Sequence, residues 1–89
     1  MGIYIVEPID WAPETVELVL SEFRGQGREV RSRPWVGPAS GSGYVYGYEV
    51  LVKRGEWNWT QCVEYRERTF ADDLRLAIQS CIDRLDEVA

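Results

Sequence analysis

The side chains that usually carry chemistry are sparse in this chain. Among its 89 residues there is no histidine, and there are two cysteines, Cys62 and Cys81. Histidine is the usual general base near neutral pH and a frequent metal ligand, and zinc normally takes four Cys or His ligands. Neither thiol has an obvious activating base, and the adjacent carboxylates Asp72 and Asp73 point in different directions on a helix. The sequence therefore predicts a protein that is not an enzyme and holds no cofactor or metal.

The strongest structural pattern is a predicted β-hairpin over residues 44–70. Aromatic and β-branched residues alternate with other types on both sides of Gly55-Glu56, which is typical of strands. A two-residue loop with glycine first suits a type II′ turn, although a loop at Arg54-Gly55 would keep the same parity. The Gly55-Glu56 loop predicts these cross-strand pairs: Arg54 with Trp57, Val52 with Trp59, Val50 with Gln61, Tyr48 with Val63 and Tyr46 with Tyr65.

The remaining elements follow from helical spacing and from Gly and Pro. We expect a short strand at 2–7, a helix capped by Asp10 that ends near Gly25, a strand at 28–36 and a flexible loop at 37–43. Pro34 cannot donate to a ladder and favours an edge position for its strand. A capping box of Thr69 and Asp72 would open a final helix that runs to about Val88.

Together these elements predict one α+β domain over residues 1–89. Their order is β-α-β-β-β-α, which favours a two-layer sandwich with a mainly antiparallel sheet and two helices on one face. The helices would cover the tyrosines and tryptophans of the hairpin. Cys81 lies on the apolar stripe of the last helix and Cys62 on the opposite sheet face, so both are expected to be free thiols.

Charge is distributed unevenly along the chain, whose net charge is −5. Both predicted helices are acidic, and the stretch from Arg28 to Arg54 is basic. The overall sign disfavours non-specific binding to nucleic acid. An acidic helix layer can instead attract the basic groove of a nucleic-acid-binding protein, while the simpler interpretation is solubility. The acidic candidates for partner contact are Glu14, Glu17, Asp72 and Asp73.

Some aromatic and arginine residues are candidates for partner contact. Most hairpin aromatics are more simply interpreted as core, but two tryptophans lie where helical cover is expected to end. Trp, Tyr and Arg are the residues most enriched at binding hot spots. The predicted contact residues of this kind are Arg31, Arg33, Trp35, Arg54 and Trp57.

From Ala12 onward the order α-β-β-β-α resembles the double-stranded-RNA-binding domain. Gly37-Pro38 falls between the first two strands, where that family often places a Gly-Pro-x-His loop, but the fourth position here is Ser40. The family also places a lysine cluster at the start of its last helix to hold phosphates. The corresponding residues here are Thr69 to Asp73, which include two acids that would repel phosphate. The resemblance therefore implies a shared topology without the family's phosphate-binding motifs.

These observations favour a small acidic module that binds another protein without catalysing a reaction. The specific hypothesis is a phage-type, anti-CRISPR-like inhibitor that blocks a nucleic-acid-handling defence complex. One alternative is a nucleic-acid-binding domain that uses the cluster from Arg28 to Arg33. Another is a self-associating structural or adaptor protein that pairs through its first strand or the 28–36 edge. The expected oligomeric state is a monomer or a homodimer. With no apolar run near the ~20 residues of a membrane span, the expected location is cytoplasmic.

Overall fold

The computed structural model describes residues 12–88. These residues form two helices and a three-stranded antiparallel sheet with strand order β1-β2-β3, an α+β arrangement. The predicted strand at 2–7 lies outside the described residues. The first helix begins at Pro13 with Ala12 at its N-cap position, so the predicted cap at Asp10 is wrong. Neither described helix is long and apolar enough to cross a bilayer. The elements are α1 (Pro13–Phe23), β1 (Arg28–Pro38), β2 (Tyr44–Arg54), β3 (Trp57–Glu64) and α2 (Phe70–Val88).

The hairpin of β2 and β3 has the predicted register. Arg54 pairs with Trp57 across the Gly55-Glu56 turn, and Tyr48 pairs with Val63. Gly55 has a φ of 61°, which glycine adopts without strain and which the first position of a type II′ turn requires. The ladder continues past the strand end, where the Tyr65 N–H donates to the Tyr46 carbonyl at 2.7 Å.

The register also determines which backbone groups face each sheet edge. Because Tyr46 bonds to Tyr65, the even-numbered residues of β2 direct their N–H and C=O groups toward β3. The odd-numbered residues of β2 therefore face β1, and the even-numbered residues of β1 direct these groups away from β2. Pro34 is one of them, so the N–H that proline lacks would point out of the sheet. Within residues 12–88, β1 is an edge strand, as Pro34 predicts.

Two predicted element boundaries near the ends of the sheet are wrong. The hairpin was expected to extend to residue 70, but β3 ends at Glu64 and α2 begins at Phe70. The loop was expected to begin at Gly37, but Gly37 and Pro38 continue β1 and pair with Val45 and Tyr44. Their composition is typical of loops, yet Pro38 also has the even position at which no N–H is needed by β2. The family resemblance that placed Gly37-Pro38 in a loop therefore fails at this position as well.

The core is a single cluster built from both helices and one face of the sheet. The sheet contributes mainly residues of the central strand β2. The expectation that the helices cover Tyr44 and Trp59 is wrong, because these side chains are 58% and 46% exposed. Tyr44 is the first residue of β2, and Trp59 lies on the edge strand β3, where neighbours are fewer. The buried side chains are Val16, Val19, Leu20, Val30, Tyr48, Val50, Val52, Val63, Phe70, Leu74, Ala77, Ile78, Cys81, Ile82 and Leu85.

Candidate protein-binding surface

One face of the sheet carries no described element, and we call it the open face. It is the face opposite the core cluster, and it presents the odd-numbered residues of β1 and β2 and the even-numbered residues of β3. No helix or strand within residues 12–88 packs on it. Its side chains are those of Glu29, Arg31, Arg33, Trp35, Val45, Glu49, Leu51, Lys53, Asn58, Thr60, Cys62 and Glu64.

Three of the predicted contact residues lie in a row on this face. Arg31, Arg33 and Trp35 occupy alternate positions of β1, and successive alternate side chains of a strand share a face. Arg31 pairs with Leu51 in the adjacent strand, and Arg33 pairs with Glu49. The sequence analysis selected the two arginines and the tryptophan by residue type, and the strand places all three on one face.

Both arginines are anchored by carboxylates but remain open to solvent. The Arg33 Nε donates to Glu49 Oε1 at 2.8 Å, with the Arg33 side chain 75% and the Glu49 side chain 21% exposed. Arg31 Nη2 lies 3.2 Å from Glu29 Oε2. A shallow depression of about 390 Å³ lies between the two arginines. It is lined by Arg31, Ser32, Arg33, Glu49 and Leu51. The depression therefore has a charged rim around Leu51, and a side chain of a partner can fit into it.

Trp35 packs in the space that a side chain at position 37 would occupy, which Gly37 leaves free. A Cβ added to Gly37 would lie 2.3 Å from the Trp35 ring carbon Cζ2, well inside van der Waals contact. The indole therefore lies directly against the Gly37 backbone, which leaves it half-buried. A ring fixed in this way loses little further freedom on binding, which favours its use as an anchor.

Cys62 lies on the open face, but its chemistry is that of an inert thiol. Burial, and secondly the Glu49 carboxylate, raise the pKa of the Cys62 thiol above its ordinary value. Its Sγ is 4.0 Å from Glu49 Oε2, an acceptor for the protonated form. Cys62 and Cys81 are both free thiols, as expected, and burial raises the pKa of Cys81 to about 11. The thiolate, which is the nucleophile, is therefore disfavoured at both positions.

The other two basic and aromatic candidates lie on the opposite side of the sheet, at the tip of the hairpin. Trp57 is 55% exposed, and its neighbour on the same face, Trp59, carries the Arg84 guanidinium 5.6 Å from its ring centroid. Arg54 Nη1 contacts Asp86 Oδ1 at 3.1 Å, which joins the hairpin tip to the end of α2. Arg54 and Trp57 therefore belong to a surface separate from that of Arg31, Arg33 and Trp35.

Two of the four acidic candidates are neutralised by arginines. Glu17 pairs with Arg24, whose hydrogen bond lowers the pKa of that carboxyl. Asp72 shares Arg75 with Glu22 of α1, at 3.1 and 3.0 Å respectively, so this arginine links the two helices. These pairs reduce the net negative charge that a partner would meet.

The other two acidic candidates have different surroundings. The predicted capping box of Thr69 and Asp72 is wrong, because the Thr69 N–H donates to the Arg66 carbonyl and its Oγ1 donates to Asp73 Oδ2 at 2.8 Å. Glu14 lies exposed in the first turn of α1, without an ion pair to any residue from 12 to 88. Glu14 and Asp73 are therefore the two of the four that form no ion pair within the part of the chain that the structure describes.

Sequence reasoning did not select several residues of these surfaces. Glu49 and Leu51 complete the depression beside the arginines, and Trp59 and Arg84 form the cation–π pair at the hairpin tip. The parity of the hairpin placed Glu49 and Leu51 on the open face, but their neighbours on β1 were unknown. Nothing in the sequence pairs Arg84 with Trp59. Residues 12–88 contain no group of three or more His, Cys, Asp or Glu arranged to hold a metal ion.

Comparisons with known proteins do not assign this chain to a family. No family model matches it, and neither a curated protein nor a solved structure does. The two surfaces and their chemistry are therefore the basis of the function that we propose.

Proposed function

We propose that this chain is a small, non-catalytic module that binds another protein through the open face of its sheet. The observation that carries the proposal is the row of Arg31, Arg33 and Trp35 on β1, beside Leu51. Arg and Trp dominate binding hot spots because each combines a large contact area with directional polar groups. The arginines here are already oriented by carboxylates, so little ordering is needed when a partner arrives.

The charge of the open face favours a protein partner over nucleic acid. Three basic side chains on this face, Arg31, Arg33 and Lys53, are accompanied by three acidic ones, Glu29, Glu49 and Glu64. A phosphate backbone is bound through a net excess of Lys and Arg, which this face lacks. Alternating charges around Trp35 and Leu51 instead suit a mixed protein surface, in which a polar rim surrounds an apolar centre.

We further propose that the full chain is a two-layer β-α-β-β-β-α sandwich. The common core of α1, α2 and one sheet face supports this arrangement. In such a molecule the helices form one outer surface and the open face forms the other. The open face is then a flat surface without helices, and a flat surface suits contact with a protein.

The experiment is an affinity capture from host lysate with matched variants. The bait is the tagged chain, with half of each lysate treated with nuclease and the captured proteins identified by mass spectrometry. Trp35→Ala removes the anchor on the open face, and Trp57→Ala removes an exposed tryptophan from the opposite side. We expect the same partner with and without nuclease, lost with Trp35→Ala and retained with Trp57→Ala.

Each other outcome rejects part of the proposal. Capture that disappears with nuclease would make nucleic acid the ligand. Loss with Trp57→Ala and retention with Trp35→Ala would move the contact to the hairpin tip. Circular dichroism of both variants separates loss of contact from loss of folding.

The narrower proposal is that the partner is a nucleic-acid-handling defence complex, which this chain inhibits in the manner of a phage-type inhibitor. Support comes from the net charge of −5 and from the exposed acids on the helix side, of which Glu14 is unpaired within residues 12–88. Charge reversal at Glu14 and Asp73 is expected to weaken binding if these acids meet a basic groove. Unchanged affinity would exclude the acidic contact and leave the open-face proposal intact.

A further inference from the structure

The two edges of the described sheet differ in their ability to accept another strand. At the β1 edge, Pro34 and Pro38 lack the outward N–H, and the Val30 carbonyl already accepts a bond from Arg24 Nε at 3.4 Å. Proline and occupied carbonyls are common means of blocking strand addition. The 28–36 edge is therefore poorly suited to pairing with a second chain.

The β3 edge has none of these protections. The odd-numbered residues of β3 bond to β2, so Asn58, Thr60, Cys62 and Glu64 direct their N–H and C=O groups outward. No strand within residues 12–88 pairs with this edge, and every residue from 57 to 62 is exposed. The strand contains no proline, lysine or bulge. A regular edge of this kind is a template for another strand.

We propose that β3 pairs with β3 of a second copy of this chain, antiparallel and about a two-fold axis at Gln61. This register places the outward backbone groups of Asn58 opposite those of Glu64 of the second copy, and those of Thr60 opposite Cys62. The described strands of the two copies join into one continuous six-stranded sheet. This inference is independent of the open-face contact, because that face stays uncovered in both copies, and it requires that the strand proposed at 2–7 does not occupy the β3 edge.

In this register the β3 side chains of the two copies form favourable cross-strand pairs. Trp59 comes opposite Val63 of the second copy, and Trp57 opposite Tyr65, so exposed aromatics gain apolar neighbours. Beyond the strand ends Glu56 comes opposite Arg66, which are of opposite charge. Moving the axis to Thr60 would instead place Glu56 opposite Glu64, two like charges. Moving it by half a residue would put the helices of the two copies on opposite faces and mismatch every side chain.

The test uses the axis residue, which meets its own copy and no other. Gln61 is exposed and lies outside the core, so its substitution leaves the monomer folded. Gln61→Lys and Gln61→Glu each oppose like charges and are expected to weaken dimerisation about fivefold. An equimolar mixture of the two variants opposes Lys to Glu, and its association is expected to return to the wild-type level or above. Sedimentation equilibrium over a range of concentrations measures all of these.

Gln79→Lys is the matched control, since it adds the same charge on the exposed side of α2. It is expected to leave the dissociation constant unchanged. A second readout is Gln61→Cys in a Cys62→Ser background, which places two thiols at a non-hydrogen-bonded pair. Cα atoms of such a pair are about 4.5 Å apart, within the range for a disulfide. We expect a cross-linked dimer on mild oxidation, and Thr60→Cys in the same background to cross-link less.

A wild-type mass that stays monomeric up to about 1 mM protein would overturn the inference. So would a mixture of Gln61→Lys and Gln61→Glu that associates no better than either variant alone. Stronger cross-linking at Thr60 than at Gln61 would overturn the register. None of these results bears on capture of a partner through Trp35, so failure of the dimer and failure of the proposed function are distinguishable.

Discussion

Replacing Gly47 with alanine is predicted to disrupt the centre of the sheet. Gly47 lies within β2, between Trp35 on one side and Glu64 on the other. A Cβ at this position would lie 1.8 Å from the Val63 carbonyl oxygen, 2.8 Å from its carbon and 2.9 Å from the Glu64 Cα. All three atoms belong to the backbone, so no side-chain rotation relieves the overlap. β3 must move away from β2 at this point.

The cost can be estimated from three effects. Overpacking in a well-packed region costs about 1–3 kcal/mol. Displacing the backbone at Val63 breaks roughly two hydrogen bonds, among them that of Tyr65 N–H to Tyr46, at about 0.5–1.5 kcal/mol each. The stiffer unfolded chain of the alanine variant returns about 0.4–1 kcal/mol. The expected net loss is about 1–6 kcal/mol, a large part of the ~5–15 kcal/mol typical of a domain.

Urea denaturation followed by far-ultraviolet circular dichroism measures this loss. Gly41→Ala is the matched control, because a Cβ there meets nothing within 4 Å and its φ is not in the left-handed region. It is expected to be neutral or to stabilise by up to about 1 kcal/mol. A Gly47→Ala variant with wild-type stability would refute the close approach of β3, and an equal loss at Gly41 would show that the effect is not specific to position 47.

Three further predictions concern the open face, the core and the helix pair. Gly37→Ala is expected to displace the Trp35 indole, which a near-ultraviolet circular dichroism change would report, at a cost of about 1 kcal/mol because a side chain and not the backbone yields. An unchanged spectrum would contradict the contact. Burial raises the pKa of Cys81 to about 11, so the contribution of this thiol to stability is complete below the pKa of the unfolded state, near 9. The contribution is lost as pH rises toward 11, by about 2–3 kcal/mol. Cys81→Ala is expected to flatten this alkaline decline in stability, and an identical slope would show that Cys81 does not cause it. The Arg75 hydrogen bond lowers the pKa of Glu22, so the ion pair stabilises the fold above about pH 4.5. This stabilisation is lost as pH falls through the pKa of Glu22 in the folded state. Glu22→Gln is expected to reduce the acid sensitivity of unfolding, with Glu67→Gln as the exposed control.

The hairpin could be predicted because its information is local. A glycine-first turn at Gly55 and an alternation of period two on both sides leave one register that keeps the apolar residues on one face. The same alternation could not show how far the helices extend over that face. Trp59 has the same type and parity as a core residue, and its exposure depends on its being on the edge strand β3.

The sequence alone could not show on which face of the sheet Arg31, Arg33 and Trp35 lie. That face depends on the register between β1 and β2, and a glycine- and serine-rich loop does not specify where the two strands end and begin. Energetics decides between the two faces. In the observed register Val30 is buried and the two arginines face solvent. A shift by one residue would expose Val30, at a loss of about 1.5–3 kcal/mol, and bury two guanidinium groups, each at several kcal/mol. The cost of burying those charges therefore places the predicted contact residues on the open face, and it separates them from Arg54 and Trp57, whose parity the Gly55 turn sets independently.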